Sequence, residues 1–236
     1  MSDSNGNKEE LFDSYPDSYT NTVNDAISFT GLGVDFFTRV KAAYIADLCN
    51  AHFVDVASVR ALDVGCGVGN FHGLLKPLFG ELNGVDVSRR SIEKAIQDHP
   101  GVHYQSYDGL RLPFEDDSFD LVYAICVMHH VPPDQWQSFV REMKRVLRKG
   151  GLVLVFEHNP RNPLTMRAVN NCKFDEDAVL LPGGSIVGLF EDAGFASIKE
   201  QFILSLPAAS RILRILDGWV SKLGLGAQYY VSASKD

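Results

Sequence analysis

The stretch Ala61-Leu62-Asp63-Val64-Gly65-Cys66-Gly67-Val68-Gly69-Asn70 constrains this chain more than any other. A short apolar run from Val59 to Val64 carries an acid near its end. Three glycines then alternate with other residues, and a helix-forming segment opens at Asn70. Glycine lets the backbone turn sharply and lets a ligand press against the main chain. In doubly wound sheets such a turn lies in the crevice at the carboxyl ends of the strands. The pattern predicts an α/β fold with a ligand site at residues 65–69.

The chain around it alternates in the same way. Leu82–Val87, Val102–Gln105, Phe119–Val127 and Leu152–Phe156 read as the second to fifth strands. Helices are predicted over Asn70–Phe79, from a Ser88 cap to Asp98, and over Pro132–Leu147, with Gly150-Gly151 as the stop. Strands joined by crossover helices make a parallel sheet covered on both faces, and the near-continuous apolar run Leu121–Val127 agrees. Ile198–Leu204 and Gln228–Ala233 add two strands around an amphipathic segment, Pro207–Leu223. The expected fold is a Rossmann-like, doubly wound, seven-stranded and mostly parallel sheet with a last antiparallel strand. A helical lid precedes it, and a helical insertion precedes its last strand. Residues 1–10 read as a disordered leader and 11–55 as the lid. Residues 56–236 are the ligand-binding domain, all within one structural domain.

Asp86 closes the second strand, where a carboxylate can accept from both hydroxyls of a ribose. Two nucleoside ligands compete for such a site. Dinucleotides use G-x-G-x-x-G, whereas this chain has G-x-G-x-G. Asp63, just before the loop, would repel a pyrophosphate and suits a ligand carrying an ammonium and a sulfonium.

These residues resemble the first motif of class I S-adenosylmethionine-dependent methyltransferases. The likeness continues through Gly84-Val85-Asp86-Val87-Ser88, Tyr107-Asp108-Gly109, Leu112–Val122, Val127-Met128-His129-His130-Val131 and Leu147–Gly151. It covers roughly residues 59–158 and is greatest to the ubiquinone/menaquinone-biosynthesis branch. The resemblance implies that Gly65, Cys66, Gly67 and Gly69 shape the loop beside the methionine part. Asp63 would hold its ammonium, directly or through water. Asp86 would take the ribose hydroxyls and Val87 would pack on adenine. Asp108 would accept from the adenine amino group, with Gly109 and Leu110 alongside, and the backbone at Ala124 and Ile125 would face the methionine end. Helix capping by Asp86 and turn capping by Asp108 stand as plainer alternatives. The implied cofactor is S-adenosyl-L-methionine, released as S-adenosyl-L-homocysteine.

On the acceptor side, a base helps where the nucleophile is a hydroxyl or an acidic C–H. His129 and His130 follow the fourth strand, and Glu157 and His158 follow the fifth; these four are the catalytic candidates. Structural packing and turn capping are the competing roles. Tyr15, Tyr19 and Phe36 are candidates for the lid or the acceptor pocket. The segment Glu157–Thr165 with Phe174–Ala178 resembles a subset of these enzymes that names no acceptor.

A net charge of −8 disfavours nucleic acid and anionic membranes as partners. The four cysteines form no CxxC or Cys/His cluster, so neither a disulfide framework nor a metal site is expected. No apolar run approaches the roughly 18 residues of a membrane helix, and a cytoplasmic location is expected. The function expected is methyl transfer to a small-molecule acceptor, with oxygen favoured over carbon or nitrogen. The apolar insertion would pack on the lid or on a second subunit of a homodimer. An NAD-dependent oxidoreductase and a non-catalytic S-adenosylmethionine-binding module are the rival readings.

Overall fold

The computed structural model describes residues 19–206, 210–221 and 224–236. The expected leader and Tyr15 lie outside these residues. So do residues 207–209 and 222–223 of the predicted insertion.

Seven strands form one sheet: β1 (Arg60–Val64), β2 (Glu81–Asp86), β3 (His103–Ser106), β4 (Phe119–Ile125), β5 (Leu147–His158), β6 (Ala196–Ile203) and β7 (Gln228–Ser234). Their spatial order is β3-β2-β1-β4-β5-β7-β6. The pairs among β1 to β5 are parallel, and β7 slots between β5 and β6 antiparallel to both. The strand order reverses beside β1, and that switch point opens a crevice at the strand ends. The predicted seven-stranded, mostly parallel sheet is the one observed.

Alternation along the strands feeds two cores. Leu62, Val64, Val122, Ala124, Val153 and Val155 face one side, against helices α5 (Trp136–Val146) and α7 (Gly183–Asp192). Ala61, Leu82, Leu121, Tyr123, Leu154 and Phe156 face the other, against α2 (Val34–His52) and α3 (His72–Leu75). A period of two splits each strand between both faces, which is why Leu121–Ile125 and Leu152–Phe156 read as unbroken hydrophobic runs.

Local chemistry sets the element ends. Ser88 caps α4 (Arg89–Asp98), its Oγ accepting from the Ser91 N–H at 3.1 Å. The first crossover helix is shorter than predicted: α3 is one turn, followed by a 3-10 turn at Lys76–Leu78, because Gly73 and Pro77 weaken it. Residues 133–135 are likewise a 3-10 turn ahead of α5. Leu147 is in β5, where it pairs with Phe119; the Arg148–Gly151 stretch predicted to end a helix is strand. Two helices escape the sequence reading: α6 (Pro163–Asn170), capped by Asn162, and α7, whose glycine-rich start hid its period.

The N-terminal region holds α1 (Tyr19–Ile27) and α2, joined by a 3-10 turn. The inserted helix α8 (Arg211–Val220) is fixed through a buried acid rather than its apolar stripe. Asp217 accepts from the Tyr44 hydroxyl and from the N–H groups of Leu204, Ser205 and Leu206, each at 2.8–2.9 Å. Ile212 and Trp219 are 72% and 73% exposed, so these apolar side chains stay largely outside the core. Among the described residues, no helix is long and apolar enough to cross a membrane.

Candidate active site

β1 delivers the chain into the glycine turn at the switch point. Gly65, Gly67 and Gly69 have φ of +77°, +53° and +78°, a region that L side chains rarely enter. At Gly65 a Cβ would lie 2.6 Å from the Val127 side chain. At Gly67 nothing lies within 4 Å of the Cβ position, so this glycine presents bare main chain to the open cleft. Gly69 is not on the cleft wall; its Cβ would meet His99 and the Tyr104 hydroxyl at 2.9 Å. The first and third glycines permit close packing, and the second leaves a cradle.

Asp86 stands beside that cradle at the end of β2. Its Oδ2 accepts from the Gly67 N–H at 2.8 Å and its Oδ1 from the Ser88 N–H at 2.9 Å. Each oxygen keeps a lone pair for a ligand hydroxyl. Burial pushes the Asp86 carboxyl up to about 6, against the pull of those N–H groups. Asp63 is buried, and burial raises its carboxyl too, while His72 holds it down. Its Oδ2 lies 3.0 Å from His72 Nε2, and His72 Nδ1 lies 2.6 Å from the Tyr104 hydroxyl. The acid before the loop is thus tied into a buried chain and also reaches the cleft wall.

The cleft holds about 870 Å³. Val87, Asp108, Gly109 and Leu110 line its far end. Asp108 Oδ1 accepts from the N–H groups of Leu110 and Arg111, at 2.9 and 3.0 Å, so it does cap its turn. Those bonds hold its carboxyl below the usual range. Ile125 lines the cleft, whereas the Ala124 side chain belongs to the core on the opposite face of the sheet. Phe36 lines the cleft as well; Tyr19 belongs to α1.

A second polar group lies past β4. Glu157 Oε1 accepts from the N–H groups of Val127 and Met128, at 3.1 and 2.8 Å, and Oε2 lies 2.6 Å from His129 Nδ1. Glu157 and His129 are 1% and 2% exposed. Glu157 is enclosed behind His129 and does not line the cleft, whereas His158, the other residue expected to reach an acceptor from this strand end, does. His129, His130 and His158 all line the cleft. Burial opposes charge on His129, but Glu157 and Asp175 raise it to about 10. His129 in turn lowers Glu157, whose burial works the other way. Burial, then the His129 charge, push His158 down to about 4.

Two residues of the wall were given no role from sequence. Asp175 comes from the turn after α6, and its Oδ1 lies 3.4 Å from His129 Nε2 and 3.6 Å from His130 Nε2. Lys41, on α2, is 7% exposed. Its Nζ lies 3.6 Å from Cys126 Sγ and 5.4 Å from the centre of the Phe71 ring, with no carboxylate partner among the described residues. The available signal was a cation embedded among buried residues of one helix, Val40, Ala42 and Tyr44.

The cradle at Gly67, the ribose-competent acid at Asp86 and the size of the cleft fit a sulfonium nucleoside. A family model described as a methyltransferase domain matches residues 62–155. An uncharacterised methyltransferase of Synechocystis sp. is 30% identical over 146 residues, which is 60% of this chain and 69% of that protein. Phthiotriol/phenolphthiotriol dimycocerosates methyltransferase 1 of Mycobacterium ulcerans is 33% identical over 118 residues, 48% of this chain but only 43% of that protein. The chain thus matches less than half the length of the mycobacterial relative. The crystal structure of an S-adenosylmethionine-dependent methyltransferase of Thermotoga maritima, described as a possible histamine N-methyltransferase, superposes with a TM-score of 0.69 at 20% identity. That match covers 97% of this chain and all of the other. This chain belongs to the S-adenosylmethionine-dependent methyltransferase family.

Proposed function

We propose that this protein methylates an oxygen of a largely apolar small molecule, using S-adenosylmethionine. The observation that carries this reading is that Asp86, tied to the Gly67 and Ser88 N–H groups, and the cluster His129, His130 and His158 line the same cleft. When bound, the cofactor supplies a methyl group already activated on a sulfonium. The protein's own task is positioning and electrostatics.

In this reading Asp86 accepts from the two ribose hydroxyls. Val87 and Leu110 pack on the adenine, with Asp108 beside its amino group. The bare main chain at Gly67 lies under the methionine part, and Asp63 holds the ammonium. Lys41 pairs with the carboxylate, which supplies the carboxylate partner its buried ammonium lacks among the described residues. Phe29, Phe36, Phe37, Leu164 and Phe174 then surround the acceptor body and keep water away. His129, His130 and His158 face the reacting atom. A hydroxyl acceptor is favoured because His158, which burial holds neutral, can hydrogen-bond its O–H and so orient the oxygen. Glu157 is a positioning residue, since it acts through His129 and the backbone at Val127 and Met128. The helical region of α1 and α2 serves as the lid.

The test is direct. The protein is incubated with S-adenosylmethionine and a panel of phenols, hydroquinones, aliphatic alcohols, amines and acidic carbon acceptors. S-adenosylhomocysteine release and a product heavier by one methyl group are followed by mass spectrometry. Turnover confined to amine or carbon acceptors would remove the oxygen assignment. Cofactor binding with no turnover on any acceptor class would favour a non-catalytic binding module.

A further inference from the structure

We propose that His129, His130 and Asp175 form a site for one divalent first-row transition cation, open to the cleft and braced by Glu157. Three donor atoms from two separate segments converge: His129 Nε2, His130 Nε2 and one Asp175 carboxylate oxygen lie within 4.8 Å of one another. The two measured edges of this triangle are 3.4 and 3.6 Å. Bonds of about 2.0–2.2 Å to imidazole and carboxylate put neighbouring donors of a four-coordinate ion about 3.4 Å apart. A charge-assisted N–H···O bond would instead close to about 2.7–2.9 Å. The contact between His129 Nδ1 and Glu157, at 2.6 Å, does close that far. The same imidazole therefore grips one carboxylate tightly and stands off from the other by the width that an intervening ion requires.

The surroundings support the same assignment. A metal-ligating histidine usually gives its second ring nitrogen to a carboxylate, which fixes the tautomer and aims the lone pair. Glu157 occupies Nδ1 of His129 and leaves Nε2 toward Asp175. Glu157 is itself held by two backbone N–H groups. Asp175 is anchored through its own backbone, its N–H donating to the Cys172 carbonyl at 3.0 Å. The same turn is tied to the histidines by the Val179 N–H, which donates to the His129 carbonyl at 2.9 Å. All three donors line the cleft, so the remaining coordination positions face its interior. Three protein ligands with open positions are the mark of a reactive rather than a structural metal centre. Two imidazoles with one carboxylate suit zinc, manganese, iron(II) or cobalt(II); magnesium and calcium prefer all-oxygen shells. The cation site stands on this geometry. Its use, to hold an acceptor oxygen and acidify the proton on it, rests on the methyl-transfer reading.

The experiment uses the full chain, treated with a chelator and dialysed. Zinc and manganese are titrated by calorimetry, and cobalt(II) by its visible absorption. The wild type is expected to bind one cation per chain, with magnesium at least tenfold weaker than zinc. Binding is expected to fall at least tenfold in His130→Ala and in Asp175→Asn, and about 10–100-fold in Glu157→Gln. No binding of zinc, manganese or cobalt to the wild type would overturn the proposal. So would binding that both ligand variants leave unchanged. S-adenosylmethionine is titrated into the same metal-free samples. Cofactor binding and full turnover without metal would overturn the cation's use in the reaction and leave methyl transfer standing; the site itself is decided by the titrations above. Failure to bind the cofactor, with the cation still bound, would do the reverse.

Discussion

Asp86 has both oxygens tied to backbone N–H groups and a carboxyl pushed up to about 6 by burial. In an unfolded chain the value is about 3.9. The folded state therefore holds this proton more tightly. The stabilisation is complete below about pH 4 and is lost as the pH rises through about 6. Replacing Asp86 by Asn removes the buried charge, so the cofactor-free variant should gain thermal stability over the wild type as the pH is raised from 4 to 7. The same change should weaken S-adenosylmethionine by about 1.5–3 kcal/mol, the usual loss for a charged hydrogen-bond partner. Calorimetry and thermal unfolding across pH read both effects, and a stability difference that does not grow between pH 4 and pH 7 would refute the cost of burying this charge. Lys41 offers a sharper discrimination. Lys41→Met should weaken S-adenosylmethionine by about 1–3 kcal/mol but leave 5′-methylthioadenosine, which has no carboxylate, nearly unchanged. Equal losses for both ligands would place Lys41 elsewhere.

At the scale of elements, the glycine turn and the β4 exit lock together. A methyl group at residue 65 would meet Val127 at 2.6 Å, and the backbone there is left-handed at φ +77°. Gly65→Ala should distort the loop and weaken the cofactor at least tenfold while the fold survives; retained affinity would show that the loop can yield. The inserted helix α8 depends on one acid. Asp217→Ala leaves three N–H groups without this acceptor and the Tyr44 hydroxyl with only the Arg214 carbonyl, 3.5 Å away. A loss of about 2–4 kcal/mol in urea unfolding is expected. Such an anchor was invisible in a stretch that reads as apolar, Ile212 to Val220, because helical periodicity reports the stripe and not which side is docked. The strand assignments fared better, since β1, β2 and β4 are short, largely buried runs bounded by turn signals. Residues 147–151 misled for a physical reason: a basic helix end followed by two glycines is also an edge of a strand crossing a bulge beside Phe119.

For the whole molecule, a ligand that binds only the folded state stabilises it by mass action. S-adenosylmethionine at a hundredfold its dissociation constant should add about 2.7 kcal/mol. In a chain of this size that raises the unfolding midpoint by about 5–10 °C. NAD at equal concentration should give no shift, because the acid at Asp63 and the glycine spacing oppose a pyrophosphate. A shift with NAD alone would reject the cofactor assignment.

The sequence by itself determined the sheet, the glycine turn and the acids at its edge, because each is written in consecutive residues with a local conformational need. It also placed His129, His130 and His158 near the ends of their strands. Only the tertiary structure decided that Glu157 supports rather than faces the cleft, and that Lys41 and Asp175 enter it. Those residues arrive from α2, from β5 and from the turn after α6. Contacts between distant segments depend on how whole helices pack on the sheet, and no local spacing records that.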